Sequence, residues 1–233
     1  MAFGKLTLIP TFLNEELALE THAVLQIKQA LDGNPLIVPL IVVEEAKNAR
    51  RRWLSSGLPR EMIEHFVLLN EHQTQCQDIV KDLKNGRNVF LMSDCGLPAF
   101  FDPGQKLIDA CHRQSIAVTS TPFANSFSLA LALSGFEFLE CVFMGHPPRN
   151  QSADYWQRMA QEKRTICFHD APYRLSQTLG SLASTLPQTR EVFVALDLGL
   201  PSEQLVRVQV QKLNSRPWPK KAEYVIVVGP QNL

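Results

Sequence analysis

The sequence predicts an α/β protein built from two α/β sub-domains. Short β-branched runs alternate with longer helical patterns through the first half, as they do when helices wrap a mostly parallel sheet. The run Leu36 to Val43 is apolar on both faces, which fits a strand covered on both sides. The second half is richer in strand, with Glu191–Asp197, Leu205–Val210 and Glu223–Val228 following one another with little helix between them. The change of character places the sub-domains at residues 1–120 and 121–233.

Taken in order, Lys5–Pro10 (K-L-T-L-I-P) reads as the first strand. Asn14 then caps a helix whose first turn carries Glu15 and Glu16, the sign of charge that a helix N-terminus favours. It runs to Leu31 and stops at Asp32-Gly33-Asn34-Pro35, a strong breaker. Strand Leu36–Val43, basic helix Glu45–Ser55, short strand Phe66–Leu69, helix Gln73–Lys84 and strand Asn88–Ser93 follow. Asp102-Pro103-Gly104 reads as the start of a helix through Arg113, with Asp as N-cap and Pro at the first helical position. Then come strand Ile116–Ser120 and an apolar helix Asn125–Ser134 before Gly135. Strand Glu140–Met144 leads through the stiff connection Gly145-His146-Pro147-Pro148 to helix Ser152–Lys163, strand Thr165–His169 and helix Tyr173–Thr185.

Composition excludes several classes. Twenty-three basic and twenty-three acidic side chains cancel, so no global field draws the chain to nucleic acid; only Arg50-Arg51-Arg52 with Trp53 forms a local basic cluster. No apolar run approaches the ~20 residues needed to cross a bilayer, and the N-terminus lacks a signal-peptide apolar region. The five scattered cysteines include no C-x-x-C pair, which argues against a disulfide framework or a zinc site. A cytoplasmic, metal-free protein without a membrane partner is the expectation.

The most informative stretch is Ser93 to Gly104, S-D-C-G-L-P-A-F-F-D-P-G: a buried strand, a Gly/Pro loop, then a helix. Ligands of open α/β sheets bind beyond the carboxyl ends of strands, where backbone N–H groups and helix N-termini face outward. The loop has too few glycines to cradle a phosphate, and no G-x-G-x-x-G or P-loop string occurs elsewhere, so a nucleotide- or phosphate-binding α/β protein is the weakest reading. This stretch resembles the S-D-A-G-T-P-x-x-x-D-P-G signature of the tetrapyrrole methylase superfamily in the branch that methylates ribosomal RNA ribose. Val42–Arg51 (V-V-E-E-A-K-N-A-R-R) is similar to that branch's E-D-T-R-x-T-R-K segment, and Leu69–His72 to its H-x-N-E segment. Thr165–Arg174 is similar to its strand ending in Y-E-S-P-H-R, and Ala222–Gly229 to its final strand. The sequence departs from the family at Thr11–Glu16 and at Pro122–Ser126, where the family's T-P-I-G-N-L and P-G-P-S-A loops carry glycines that are absent here.

The resemblance implies a homodimeric S-adenosylmethionine-dependent methyltransferase with the donor in a cleft between its sub-domains, acting on ribosomal RNA or on a small molecule. Carried over by position, the donor would be met by Gly96, Leu97, Pro98, Phe100 and Phe101, by Ser126 and Phe127, and by Phe168, Ala195, Ala222 and Glu223. Methyl transfer from a sulfonium asks mainly for positioning and exclusion of water. A ribose acceptor adds the need for a general base, for which Glu44, Glu71 and His72 are the candidates because each follows a strand end. Lys47, Arg50 and Arg51 are the RNA-binding candidates, with a solvated helix face as the plain alternative. Phe100-Phe101 reads equally as core or interface packing, and Cys95 as a small buried residue. The alternatives are a corrin or porphyrin methyltransferase, disfavoured because the first loop lacks a G-x-G-x-G pattern, and a non-catalytic methylase relic that binds RNA or a partner, favoured by the missing glycines.

Overall fold

The computed structural model describes residues 2–12, 17–33, 36–69, 75–123, 125–150 and 152–231. The chain divides into two units, Met1–Phe123 and Ala124–Leu233. In the first, β1 (Leu6–Ile9), β2 (Leu40–Val43), β3 (Val67–Leu68), β4 (Val89–Met92) and β5 (Val118–Ser120) form one sheet in the order β3-β2-β4-β1-β5, with every neighbouring pair parallel. All four residues of β2 and of β4 are buried, because helices cover both faces. Helices α1 (Thr21–Leu31) and α2 (Ala46–Ser55) bring Ala23, Ile27, Ala49 and Trp53 against Ile41, Val43, Phe90 and Met92. On the other face α3 (Cys76–Lys84) and α4 (Gln105–Arg113) bring Ile79, Leu83, Leu107 and Cys111 against Leu40, Val42, Val89 and Leu91.

In the second unit α5 (Ser126–Ser134) precedes a mixed sheet of β6 (Cys141–Gly145), β7 (Thr165–His169), β8 (Glu191–Leu196), β9 (Gln204–Gln209) and β10 (Tyr224–Val228), ordered β6-β7-β10-β8-β9. Only β6 and β7 run parallel; the other pairs are antiparallel. One face packs on α6 (Ala153–Gln161) and α7 (Leu175–Thr185), whose Tyr155, Trp156, Met159, Leu175, Leu179 and Leu182 are buried against the alternate strand residues Ile166, Phe168, Val194 and Ile226. Each buried leucine there contributes roughly 1.5–3 kcal/mol. The opposite face is covered by α5, which Asn125 caps by accepting a hydrogen bond from the Ser128 N–H at 2.9 Å and which Gly135 ends at φ +63°.

Three sequence expectations need correction. The first helix starts at Thr21, and residues 17–20 are not helical; the proposed cap Asn14 lies outside the described residues. The second strand begins at Leu40 rather than Leu36, whose side chain is 91% exposed; Pro39 lacks the N–H that would extend the ladder. Asp102 does not cap α4 and Pro103 does not open it. The helix begins at Gln105 after Gly104, whose φ of +139° turns the chain sharply and delays the first helical turn.

Candidate functional site

In the first unit the loops after β1, β2 and β4 meet at the carboxyl end of the sheet. Thr11 and Gly96 exchange backbone hydrogen bonds of 2.8 and 2.9 Å, so the loop after β1 is clamped to the Gly/Pro loop after β4. Ser93 Oγ closes the latter loop by donating to the Gly96 carbonyl at 2.8 Å. Gly96, Ala99, Phe101 and Gly104 all have positive φ, a dense run of left-handed backbone for twelve residues of chain. Such geometry persists only when the surroundings over-determine it, and it accumulates at ligand-binding loops. Pro98 is buried, Leu97 and Phe100 are half-buried, and Phe101 is 47% exposed with its ring edge-on to Phe100 at 5.1 Å.

Acidic groups surround this loop. Glu44 accepts a hydrogen bond from the Asp94 N–H at 3.2 Å, so this candidate base also ties the loop after β2 to the loop after β4. Asp94 in turn accepts from the Glu45 N–H and from the Asn48 side chain. Desolvation, with the charges of Glu44 and Asp94 added, pushes the Asp102 carboxyl up to about 7. Glu71 and His72, the other candidate bases, lie outside the described residues.

The basic cluster divides in two. Lys47 and Arg50 are exposed and Arg51 is half-buried, whereas Arg52 and Trp53 of the same local cluster are fully buried. Arg52 donates to the carbonyls of Phe12, Leu17 and Asp94, holding three loop segments together. The helical spacing of Ala49, Arg52 and Trp53 was the available signal for this, since it puts the arginine on the apolar face.

In the second unit His169, Val225 and Ala195 lie in one cross-strand row over β7, β10 and β8. The Phe127 ring of α5 stands edge-on to His169 at 4.9 Å, so Phe127 and Ala195 share this face. Phe168 does not: its ring is fully buried among the helices of the other face, 6.2 Å from Trp156, and cannot supply a wall beside Phe127. Ser126 opens α5 and is half-buried. Ala222 is buried and Glu223 exposed; the Glu223 N–H donates to Asp197, a residue at φ +49° that sequence reasoning missed. The histidines His146 and His169, also missed, stack with centroids 3.8 Å apart. A cavity of about 1040 Å³ opens at the other end of this sheet, against Thr165, Glu191 and Gly229, and none of the sequence-derived site residues lines it.

Residues 29–214 match the family of tetrapyrrole (corrin/porphyrin) methylases. The chain belongs to that family. A ribosomal RNA small subunit methyltransferase I of a Synechocystis strain is 35% identical over 164 residues, covering 65% of this chain and 58% of that protein. Its namesake from Pasteurella multocida is 29% identical over 199 residues, covering 82% of this chain and 69% of the relative. The chain thus spans less than two thirds of the Synechocystis relative's length. Among solved structures, uroporphyrin-III C-methyl transferase of Thermus thermophilus, complexed with S-adenosylhomocysteine, superposes with a TM-score of 0.56 at 13% identity, covering 97% of both chains. A cobalt precorrin-4 methyltransferase superposes with a TM-score of 0.56 at 14% identity, covering 97% of this chain and 94% of its own. At these identities the methylases share the two-domain α/β fold; the acceptor has to be argued from sequence relatives and from the site. No helix among the described residues is long and apolar enough to cross a membrane, and no group of three or more metal-ligating side chains occurs among them.

Proposed function

We propose that this chain is an S-adenosylmethionine-dependent methyltransferase that modifies a ribose hydroxyl of ribosomal RNA. The observation that carries the reading is the strained Ser93–Gly104 loop, locked to Thr11 at the carboxyl end of a parallel sheet, in a chain whose relatives are named ribosomal RNA methyltransferases. The residues present fit the donor. Leu97, Phe100 and Phe101 offer apolar surface for an adenine, and the clustered carboxyl groups of Glu44, Asp94 and Asp102, of which Asp102 is held toward its neutral form by burial and by the other two, are a set whose charged forms a sulfonium or ammonium group would favour. The bound donor would supply an electrophilic methyl group; the chain supplies alignment and exclusion of water. Gly96, Leu97, Pro98, Phe100 and Phe101 of the first unit are assigned to donor binding, as are Ser126, Phe127, Ala195, Ala222 and Glu223 of the second. Lys47, Arg50 and Arg51 are assigned to RNA phosphates. A cytoplasmic homodimer completes the reading, on family resemblance.

A non-catalytic relic is the second reading, and one contact favours it. Phe12 and Phe123, from the two loops that lack the family's glycines, meet edge to face at 5.6 Å, filling space that glycines leave open. Calorimetric titration with S-adenosylmethionine and S-adenosylhomocysteine decides between the two. Binding that Leu97→Trp abolishes, together with transfer of labelled methyl to small ribosomal subunits, supports the enzyme; no binding by the folded chain supports the relic.

A further inference from the structure

The stretch between β9 and β10 travels the length of the second sheet. It leaves β9 where Gln209 pairs with Glu191, at the amino end of β8, and enters β10 where Tyr224 pairs with Leu196, at the carboxyl end. The six residues of β8 separate these points by about 20 Å at the rise of a strand. The stretch is anchored along its course. It begins as a 3-10 helix, Val210–Ser215, whose Val210 and Leu213 are fully buried in the same cluster as Leu175, Leu179 and Leu182 of α7. Trp218 packs against that cluster, and its Nε1 donates to the Leu213 carbonyl at 2.7 Å. At the far end the Ala222 N–H donates to the Pro172 carbonyl at 3.4 Å.

Four cations stand on this segment. Lys212, Arg216, Lys220 and Lys221 are all exposed, and none forms an ion pair among the described residues. The Arg216 guanidinium lies 5.5 Å from the centroid of the Trp218 ring. The elements α7 and β9, which pack on the 3-10 helix, carry no acidic residue. Residues 175–190 and 204–222 contain no Asp or Glu at all, although the chain has 23 in 233 residues. A chain of zero net charge therefore concentrates a positive field on this surface. In the sequence the cluster is hidden, because prolines and neutral residues separate its members. Beside the end of the segment Tyr173, the residue after Pro172, is 74% exposed. Its neighbour Arg174 is not part of the surface: Asp170 holds the guanidinium, which also donates to the Pro147 carbonyl at 3.1 Å.

We propose that the segment from Lys212 to Lys221, together with Tyr173, binds single-stranded RNA, its cations following the phosphates and the tyrosine stacking on a base. The inference rests on the methyltransferase reading above for its choice of polyanion, and it adds a surface of the second unit to the α2 face of the first. Cations spread along an anchored segment beside an exposed aromatic ring suit a single strand, whose phosphates are in reach and whose bases are free to stack. The segment ends at Lys221, next to Ala222 and Glu223. A strand bound along it therefore arrives at residues assigned above to the donor.

The test is binding of a labelled single-stranded ribosomal RNA fragment, over a range of salt, by the full chain and by three variants. Lys212→Ala with Arg216→Ala and Lys220→Ala strips the segment and spares Lys221, whose charge acts on Glu223. Lys28→Ala with Lys81→Ala and Lys84→Ala removes the same charge from exposed positions of α1 and α3. Tyr173→Ala removes the ring. The first variant is expected to bind at least ~10-fold more weakly at low salt, with the slope of log K against log salt reduced by about 2. The second keeps the slope of the full chain. Tyr173→Ala weakens binding about 5-fold or more and leaves the slope alone. Thermal midpoints and S-adenosylhomocysteine affinity stay close to those of the full chain in all three. Equal losses from the two triple variants, or no loss from the first, overturn the assignment of this surface. So does binding to phosphatidylserine vesicles that the first variant loses while keeping its RNA affinity, which would assign the surface to an anionic membrane. Unchanged affinity in Tyr173→Ala overturns the stacking and the single-strand assignment. A chain that methylates small ribosomal subunits while the first variant binds RNA normally overturns this inference alone. A chain that needs the segment for RNA but transfers no methyl group supports this surface and overturns the catalytic reading.

Discussion

Arg52, fully buried on α2, donates to the carbonyl oxygen of Asp94 at 2.9 Å, and its guanidinium also reaches the carbonyls of Phe12 and Leu17. One cation therefore holds Phe12 and Leu17 together with the start of the Ser93–Gly104 loop. Replacing it with methionine keeps the volume and strands these carbonyls. Arg52→Met is expected to cost about 3–5 kcal/mol, the scale of breaking a buried charged network. Arg50→Met, at an exposed position of the same helix, changes stability by at most about 0.5 kcal/mol. Chemical denaturation of the two variants measures the contrast; equal stabilities would show that Arg52 is dispensable.

The two glycines of the Ser93–Gly104 loop are expected to differ. A Cβ on Gly104 would lie 2.9 Å from Leu91 Cδ2 and 3.1 Å from Ala99 Cβ at a φ of +139°, whereas a Cβ on Gly96 at φ +85° would meet nothing within 4 Å. Gly104→Ala therefore combines strain with a clash and should cost about 2–4 kcal/mol, while Gly96→Ala costs about 1 kcal/mol from backbone strain alone. Thermal unfolding separates them, and the reverse order would contradict the loop geometry.

Much of this was legible in the sequence for identifiable reasons. Thr165–His169 shows the β-branched and apolar pattern of a buried strand and is a strand with those bounds, because it is central enough for burial to dominate. Asn125 and Gly135 bracket α5 as cap chemistry dictates. The α4 start misled because the Asp-Pro pair mimics a cap, while the deciding residue was Gly104, whose φ of +139° and close approach to Leu91 and Ala99 leave no room for a Cβ. The role of Arg52 was hidden because a charged residue inside a basic string reads as surface, although its helical phase with Ala49 and Trp53 pointed inward. His146 and His169 are 23 positions apart, and only the parallel pairing of β6 with β7 brings them together. Strand alternation turns the Phe168 side chain to the face opposite α5, and its neighbour His169 faces α5 instead.

The half-buried His169 is expected to make the fold acid-sensitive. Burial first, and His146 second, lower its pKa from 6.5 to about 3, so between those values the unfolded chain binds more protons than the folded one. Stability then falls as pH drops through this window, by up to about 1.4 kcal/mol per pH unit from this group. His146, shifted the same way, adds to the slope. Asp102 has the opposite sign: its raised pKa favours the fold at low pH and loses that contribution as pH rises toward about 7. His169→Phe should flatten denaturation midpoints measured from pH 6.5 to 4, and an unchanged slope would assign the acid sensitivity elsewhere.

The Asp170–Arg174 pair is expected to be more costly to break than to replace. Removing the carboxylate alone, as in Asp170→Ala, leaves a guanidinium whose side chain is 12% exposed without its ionic partner, at a cost of about 3–5 kcal/mol. Asp170→Leu combined with Arg174→Met removes both charges and should cost clearly less than the sum of the single changes. The double-mutant cycle reads this as a coupling of about 1–3 kcal/mol. Additive losses would mean that the pair is screened and that Arg174 serves mainly the Pro147 carbonyl.

The basic face of α2 gives a prediction about RNA. Lys47, Arg50 and Arg51 recur at the spacing of one helical face, while Ala49, Arg52 and Trp53 occupy the buried side. A phosphate-binding face has a thermodynamic signature that a merely solvated face lacks: each cation released from a phosphate contact lowers the slope of log K against log salt by roughly 0.7–0.9. Lys47→Ala with Arg50→Ala should therefore weaken binding of a ribosomal RNA fragment at low salt and reduce the slope by about 1.5, with little effect on S-adenosylhomocysteine binding. Arg52 is withheld from this set because its loss would free the Ser93–Gly104 loop and confuse folding with binding. An unchanged slope in the folded double variant would show that the face is only solvated and that RNA is held elsewhere on the chain.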